Sequence, residues 1–299
     1  MNLTITILAG AVAGGTSILW AALGETISER AGVVNVGTEG TMLVGALAAF
    51  AATVETGHAW VGVLGGAAAG AALATVHAVV VVYRGASQLA MGLAILFLAL
   101  GVTSLYGASY VSSDIRGFEP WNVPLLSRIP EVGEVLFQHD PLVYLAFAAV
   151  PAVWWLLFRS RLGLLVRTAG ERPEALLAYG VSPHLVRTCA VVAGGALAGV
   201  GGAQLSTALS LTWSEAMTAG RGFIAVSLVI FGAWKPFRVL AGAYLFGAAI
   251  TLGSVLQVRG VKVNQFVLDA LPYVLTLVVL VALLARRRQH APEALGQPL

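Results

Sequence analysis

The sequence predicts an all-α fold, a polytopic integral membrane bundle of about 8–10 transmembrane helices, each needing roughly 20 apolar residues to cross the bilayer. Three observations support it. Hydrophobic residues fill 58% of the 299 positions and charged residues only 10%, whereas a soluble domain carries about 25% charged residues. The mean hydropathy is +0.87. The few charges gather in short segments between long apolar runs.

Those runs lie near 3–23, 33–54, 58–83, 87–108, 141–158, 185–210, 220–234, 237–258 and 266–285. The first opens with "MNLTITILAG", which has no basic n-region and reads as the start of a span rather than a secretory leader. The second opens on Asn35 and Glu39, and the seventh is short. Either suits a span, a half-helix or a re-entrant segment. Ser87 and Gln88 begin the fourth run, Gln204 lies within the sixth, and Asn264, Gln265 and Asp269 begin the last. An amide inside a bundle is more often a packing hydrogen bond than a ligand contact. His77 in the third run is read the same way, paired to a neighbouring helix. Trp213 and Trp234 fall near run ends and read as interfacial belt anchors. The 35 glycines include one-turn spacings at Gly10 and Gly14, at Gly62, Gly66 and Gly70, and at Gly195 and Gly199. Small residues so spaced let helices approach closely within the bundle.

Charge placement sets the orientation. Putting Arg159, Arg161, Arg167, Arg172, Arg187 and Arg286 to Arg288 inside also places Arg30, Arg84, Lys235 and Arg238 inside, so only five of the 17 cations remain outside. The positive-inside rule favours that arrangement, with the N-terminus outside and the C-terminus cytoplasmic. Residues 1–288 then form one transmembrane domain, 109–140 its acidic external loop, and 289–299 an irregular cytoplasmic tail. Cys189 is the single cysteine, so no disulfide framework exists. No phosphate-binding loop, zinc motif or nucleophile elbow is present. The chain offers no catalytic residue, no metal site and no nucleic-acid surface, and nothing in it reads as an enzyme.

One segment concentrates polarity: "GETISERAGVVNVGTEG", Gly24 to Gly40. Glu25 and Glu29 are four apart, on one face of a helix, and Arg30 adjoins both. That trio reads as a paired cluster pinning a helix end. Glu39 lies deeper, where a carboxylate costs on the order of 2.5–3.5 kcal/mol. Gly32, Gly37 and Gly40 suit a broken helix. The expectation is that 32–40 breaks the second span and lines the substrate pathway with Asn35 and Glu39, joined by Gln88 and Asn264. The competing reading pairs Glu39 with Arg30 or a backbone amide for structure alone.

Between Phe158 and Arg187 runs "FRSRLGLLVRTAGERPEALLAYGVSPHLVR". Its centre, 171–180, predicts a short helix. Pro173 suits the first turn, Glu171 and Glu174 suit its positive end, and Gly180 is a natural stop. Ala175, Leu176, Leu177 and Tyr179 make it too apolar for a solvated loop. It is either a docking element or a helix lying flat at the lipid surface.

Glu174-Ala175 followed by Gly180 resembles the E-A-A-x-x-x-G loop of ATP-binding-cassette (ABC) importer permeases, with Leu176 in place of the second alanine. The 24–40 segment followed by "MLVGA" resembles the E-R-x-G-x-x-N-[IL]-G-x-E-G signature of the nucleoside and simple-sugar branch of the branched-chain-amino-acid/ribose permease superfamily. "GRGFIAVSLVIFGAWKPF", Gly220 to Phe237, resembles a third block of that branch. The blocks occur in family order, and the likeness covers nearly the whole chain. Thr38 and Thr41 depart from the usual apolar residue or methionine.

The resemblance implies a transmembrane subunit of a bacterial ABC importer in the cell membrane. It would form a pathway for nucleosides, with ribose or another simple sugar as the alternative solute. It would bind no cofactor itself. Partner ATPase subunits would use ATP and receive the helix of Glu171, Glu174, Ala175, Leu176, Tyr179 and Gly180. A second permease subunit, alike or homologous, and an extracytoplasmic substrate-binding lipoprotein would complete the assembly within membrane lipid. A proton-coupled secondary transporter is the rival, resting on Glu39 and Asp269 as buried carboxylates.

Overall fold

A computed structural model describes residues 3–259 except Leu125, seven scattered positions between 264 and 281, and residues 291–297. The last apolar run, 266–285, and Asp269 lie largely outside the described residues. The described helices are α1 (Leu3–Arg30), α2 (Thr38–Thr56), α3 (Ala59–Ala78), α4 (Gln88–Gly107), α5 (Val132–Leu136), α6 (Pro141–Arg159), α7 (Arg161–Glu171), α8 (Pro173–Ala178), α9 (Pro183–Gln204), α10 (Arg221–Phe231) and α11 (Pro236–Val258). Two-residue strands β1 (Trp121–Asn122) and β2 (Gln138–His139) pair antiparallel in the loop between α4 and α6. The protein is the all-α polytopic bundle that the composition predicts.

Among the described residues, six helices are long and apolar enough to cross a membrane: α1, α3 with its terminal π turn, α4, α6, α9 with its π turn, and α11. α2 is 19 residues long, but Thr38, Glu39, Thr41 and Thr53 interrupt it, and all four are buried. α10 has 11 residues and rises about 16 Å at 1.5 Å per residue, half of what a span needs. The sequence-based end of the first run at residue 23 is corrected. α1 continues to Arg30, because loss of apolar character does not end backbone hydrogen bonding. The 33–54 run begins its helix only at Thr38.

The core lies where α1 and α9 cross. α9 packs against α1, α2 and α3, and α1 also meets α11, α10 and α6. Ile18, Leu19, Leu23, Leu157, Leu228 and Phe246 are among its buried side chains. By contrast α4 turns Leu93, Phe97 and Leu105 outward, as suits contact with lipid. The spaced glycines meet each other. A methyl group on Gly199 would run into the carbonyl of Gly66, and one on Gly70 into that of Gly195. Absent side chains therefore set the α3–α9 distance.

The long loop is fastened at one end of the bundle. Phe118 N–H donates to Thr207 O at 2.9 Å and Ile115 N–H to Leu211 O at 3.3 Å. Both acceptors lie at or just past the π turn Leu205–Ser210 that ends α9. Asp140 caps α6 by accepting from Leu142 N–H at 2.9 Å, and its other oxygen accepts from Gln204 Nε2 at 3.3 Å. Burial pushes the Asp140 carboxyl above the usual carboxylate range. Trp213 is buried rather than a belt anchor. It packs with Leu43, Leu47 and Phe50 of α2.

If the α3–α9 contact depends on missing side chains, Gly199→Leu should destabilise the folded protein by about 1–3 kcal/mol through overpacking. Gly14, which has open space beside it, should accept alanine with no loss. Thermal unfolding in detergent compares the two.

Candidate functional site

The polar segment at 24–40 is built around the chain break between α1 and α2. Seven residues, 31–37, leave helical geometry, and Gly32 takes φ +95°. In a membrane domain each freed backbone group needs a protein partner. Glu25, one turn before the end of α1, supplies two contacts. Its Oε1 accepts from Asn35 N–H at 2.7 Å and its Oε2 from the Thr38 hydroxyl at 3.1 Å. Gln88, the first residue of α4, accepts from Val34 N–H at 2.7 Å through Oε1 and donates to Gly32 O at 3.5 Å. Asn35 accepts from Gly37 N–H at 3.0 Å, an Asx turn that launches α2.

The next turn of α1 fastens other elements. Glu29 is fully buried, and its Oε2 accepts from Trp234 Nε1 at 2.6 Å. Trp234 lies in the α10–α11 connection, where it and Ala233 both hold positive φ, +55° and +51°. Side chains pay a strain cost there, so the Glu29 bond helps hold a reversal that the backbone disfavours. Trp234 is thus an internal tether, not the interfacial anchor the sequence suggests. Arg30 is likewise redirected. Instead of neutralising Glu25 or Glu29, its guanidinium stands 4.0 Å from Glu171 of α7 and lies over the rings of Phe158 and Trp234.

Glu39 opens α2 and reaches the start of α10. Its Oε1 accepts from the Thr218 hydroxyl at 2.7 Å and from Gly220 N–H at 2.8 Å, and its Oε2 from Gly222 N–H at 2.6 Å. The two amides are unpaired donors of a helix N-terminus, where a carboxylate is also favoured by the dipole. Gly222 lies so close that a β-carbon would meet the Glu39 backbone. Both Glu39 oxygens are occupied within the chain, by backbone amides and a hydroxyl.

Asn35, Gln88 and Glu25 therefore meet at the break, while Glu39, in the first turn of α2, faces away from them to the start of α10. Asn264 is exposed, and its carbonyl accepts from Val267 and Leu268. Thr218 is the member of this network that sequence reading passed over, and Trp234 the one it placed at the membrane interface. The Thr-x-Gly-x-Gly spacing at 218–222, a hydroxyl and two unobstructed amides, was the available signal for Thr218.

At the same end of α1, α7 leads into α8. Pro173 occupies the first turn of α8, Leu176 is buried at 2% exposure, and Gly180 takes φ +74° just beyond it. Leu177 and Tyr179 are 63% and 85% exposed, Glu174 is exposed and Ala175 half-buried. Glu171 ends α7 rather than starting α8. Arg187 of α9 is buried and donates to Ala169 O at 3.1 Å, holding the end of α7.

Residues 6–284 match the family described as the permease component of the branched-chain amino acid transport system. The chain belongs to that family. Three curated relatives align over most of their lengths. NupC of Lactococcus lactis, a nucleoside ABC transporter permease, is 35% identical over 99% of this chain and 97% of its own. NupQ of Bacillus subtilis, a guanosine ABC transporter permease, is 33% identical over 94% and 92%. TsgC13 of Haloferax volcanii, a permease provisionally assigned to glucose, is 45% identical over 83% and 76%. The permease is accordingly a multi-pass membrane component of an ABC transporter.

The Glu39 contacts make a separable forecast. Thr218→Val removes one donor and should cost about 1 kcal/mol. Glu39→Gln weakens three charge-assisted bonds and should cost about 1–3 kcal/mol. Thermal unfolding in detergent measures both. Equal and negligible losses would show that Glu39 is not the tether of α10.

Proposed function

We propose that this permease is the membrane-spanning subunit of an ATP-driven importer of nucleosides. What supports the solute assignment is alignment across 94–99% of the chain with two relatives named for nucleoside and guanosine transport. A sugar is the second reading, favoured by the 45% identity to the relative assigned to glucose. In this reading the chain carries no ATPase site. Separate ATPase subunits hydrolyse ATP, an extracytoplasmic binding lipoprotein delivers the solute, and a second permease subunit completes the pathway. The α7–α8 end faces the cytosol, as the concentration of arginines there favours.

Mechanism follows from the contacts at that end. α8 presents Leu177 and Tyr179 outward while Leu176 anchors it inward, so a force on its outer face reaches α7. From α7 the Glu171–Arg30 pair reaches α1. The final turns of α1 hold the break through Glu25 and the α10–α11 reversal through Glu29. ATP binding and hydrolysis in the partner would bias this linked set between two arrangements. Asn35 at the break offers neutral amide chemistry suited to an uncharged polar solute, while Gln88 spends both its amide atoms on Val34 and Gly32.

The test is uptake of labelled nucleosides and sugars by proteoliposomes holding the permease, its partner subunit and ATPase, with ATP inside and the binding protein outside. Nucleoside uptake should require both ATP and the binding protein. Glu174→Arg should lower it about tenfold or more, the scale of a reversed interface charge. Uptake driven by a pH gradient without ATP would replace the importer with a secondary transporter, and uptake of glucose alone would replace the solute.

A further inference from the structure

Residues 291–297 read in the sequence as an irregular tail, yet they are seated. Pro292 and Ala294 are buried while Glu293 points out. Ala294 N–H donates to Gly170 O at 2.8 Å, and Gly296 N–H donates to Gly32 O at 3.2 Å. Glu293 N–H donates to Glu171 Oε2 at 3.2 Å, and Arg187 Nη1 donates to Gln297 O at 3.0 Å. The segment thus joins the end of α7, the break after α1 and the start of α9. It also forms one wall of a cleft of about 540 Å³ whose other wall is α8, with Pro173, Glu174 and Leu177 facing Glu293 and Ala294. Glu293 borders a second cleft of about 330 Å³ on the other side of α8, beside Leu164 and Ala175.

We infer that residues 291–297 are a fixed part of the surface that receives the ATPase subunit, with Glu293 as its charged contact. The inference rests on the importer reading above and adds a second element to the docking surface. The chemistry of the clefts commits the occupant. In the larger cleft three carboxylates, Glu171, Glu174 and Glu293, outnumber the one arginine, Arg172, beside His184, while in the smaller Arg167 and Arg172 balance Glu171 and Glu293, and Leu177 and Tyr179 stand exposed. An anionic lipid surface attracts Lys and Arg rather than carboxylates, and Leu177 and Tyr179 need an apolar counterface. A protein surface with an apolar patch rimmed by Lys or Arg satisfies both. The tail's position explains how such a partner reaches the break. A load on Glu293 passes into α7 through Glu171 and Gly170, and along the tail through Gly296 to Gly32.

The experiment uses the assembled transporter in detergent and measures how much affinity-tagged ATPase subunit retains permease across a salt series. Glu293→Arg should weaken retention about tenfold at low salt, and the deficit should shrink as salt rises. Gly296→Pro deletes the N–H that reaches Gly32 and forbids the positive φ of +77°, so it should loosen the tail and weaken retention in the same direction. Both positions are exposed, and thermal unfolding of each variant, expected at the unaltered midpoint, separates lost docking from lost folding. Wild-type retention in both variants, with loss in Glu174→Arg, would overturn this inference and leave α8 as the whole docking surface. Wild-type retention in all three, or no retention by the unaltered permease, would overturn the importer reading and this inference with it.

Discussion

A break in a membrane helix has to replace every backbone partner it gives up, and in this protein Glu25 and Gln88 share that work, Glu25 taking the Asn35 amide and Gln88 the Val34 amide and the Gly32 carbonyl. An unsatisfied amide in hydrocarbon costs several kcal/mol. Two short bonds from one carboxylate, together with the amide of Gln88, account for Val34, Asn35 and Thr38. The direction of α2 follows from this junction. Because α2 starts where it does, Glu39 falls opposite the N-terminus of α10 and can cap it. A carboxylate on α1 thereby fixes the entry of one helix, and through it the start of a third.

The consequence is a concentration of dependencies in six residues of α1. Glu25 serves the break, Glu29 the α10–α11 reversal, and Arg30 the α7–α8 pair. These are not three independent ties. The last turns of a helix rotate and translate as a unit, so the three elements are constrained to move together or not at all. Close packing of glycine against glycine in α3 and α9 gives this cluster a stiff backing.

Much of the bundle was legible because lipid solvent imposes a simple rule, and runs of apolar residues mark α3, α4, α6, α9 and α11 closely. What escaped was whatever polarity conceals. Glu25 to Arg30 look like the end of a span, yet they continue α1, with Glu25, Glu29 and Arg30 each engaging another element. Arg30 looked like the natural partner of two adjacent carboxylates. It instead engages Glu171, far along the chain. Trp213 and Trp234 sit at the ends of apolar runs as belt residues do, but both are buried. Each bond that seats residues 291–297 uses a backbone amide or carbonyl of the segment itself, and backbone groups leave no mark on composition. The short helix α8 was readable for the opposite reason: Pro173 and Gly180 encode its limits locally.

The π turn at Leu205–Ser210 carries one more residue per turn than the helix it extends. Withdrawing that extra residue would rotate everything downstream by about 100°, swinging Thr207 O away from Phe118 and Leu211 O away from Ile115. The seating of the long loop and the register of the chain leading to Trp213 are therefore a single choice. Lifting the loop and rewinding the helix are two descriptions of one displacement, and Trp213, wedged against α2, is the latch that both would have to release.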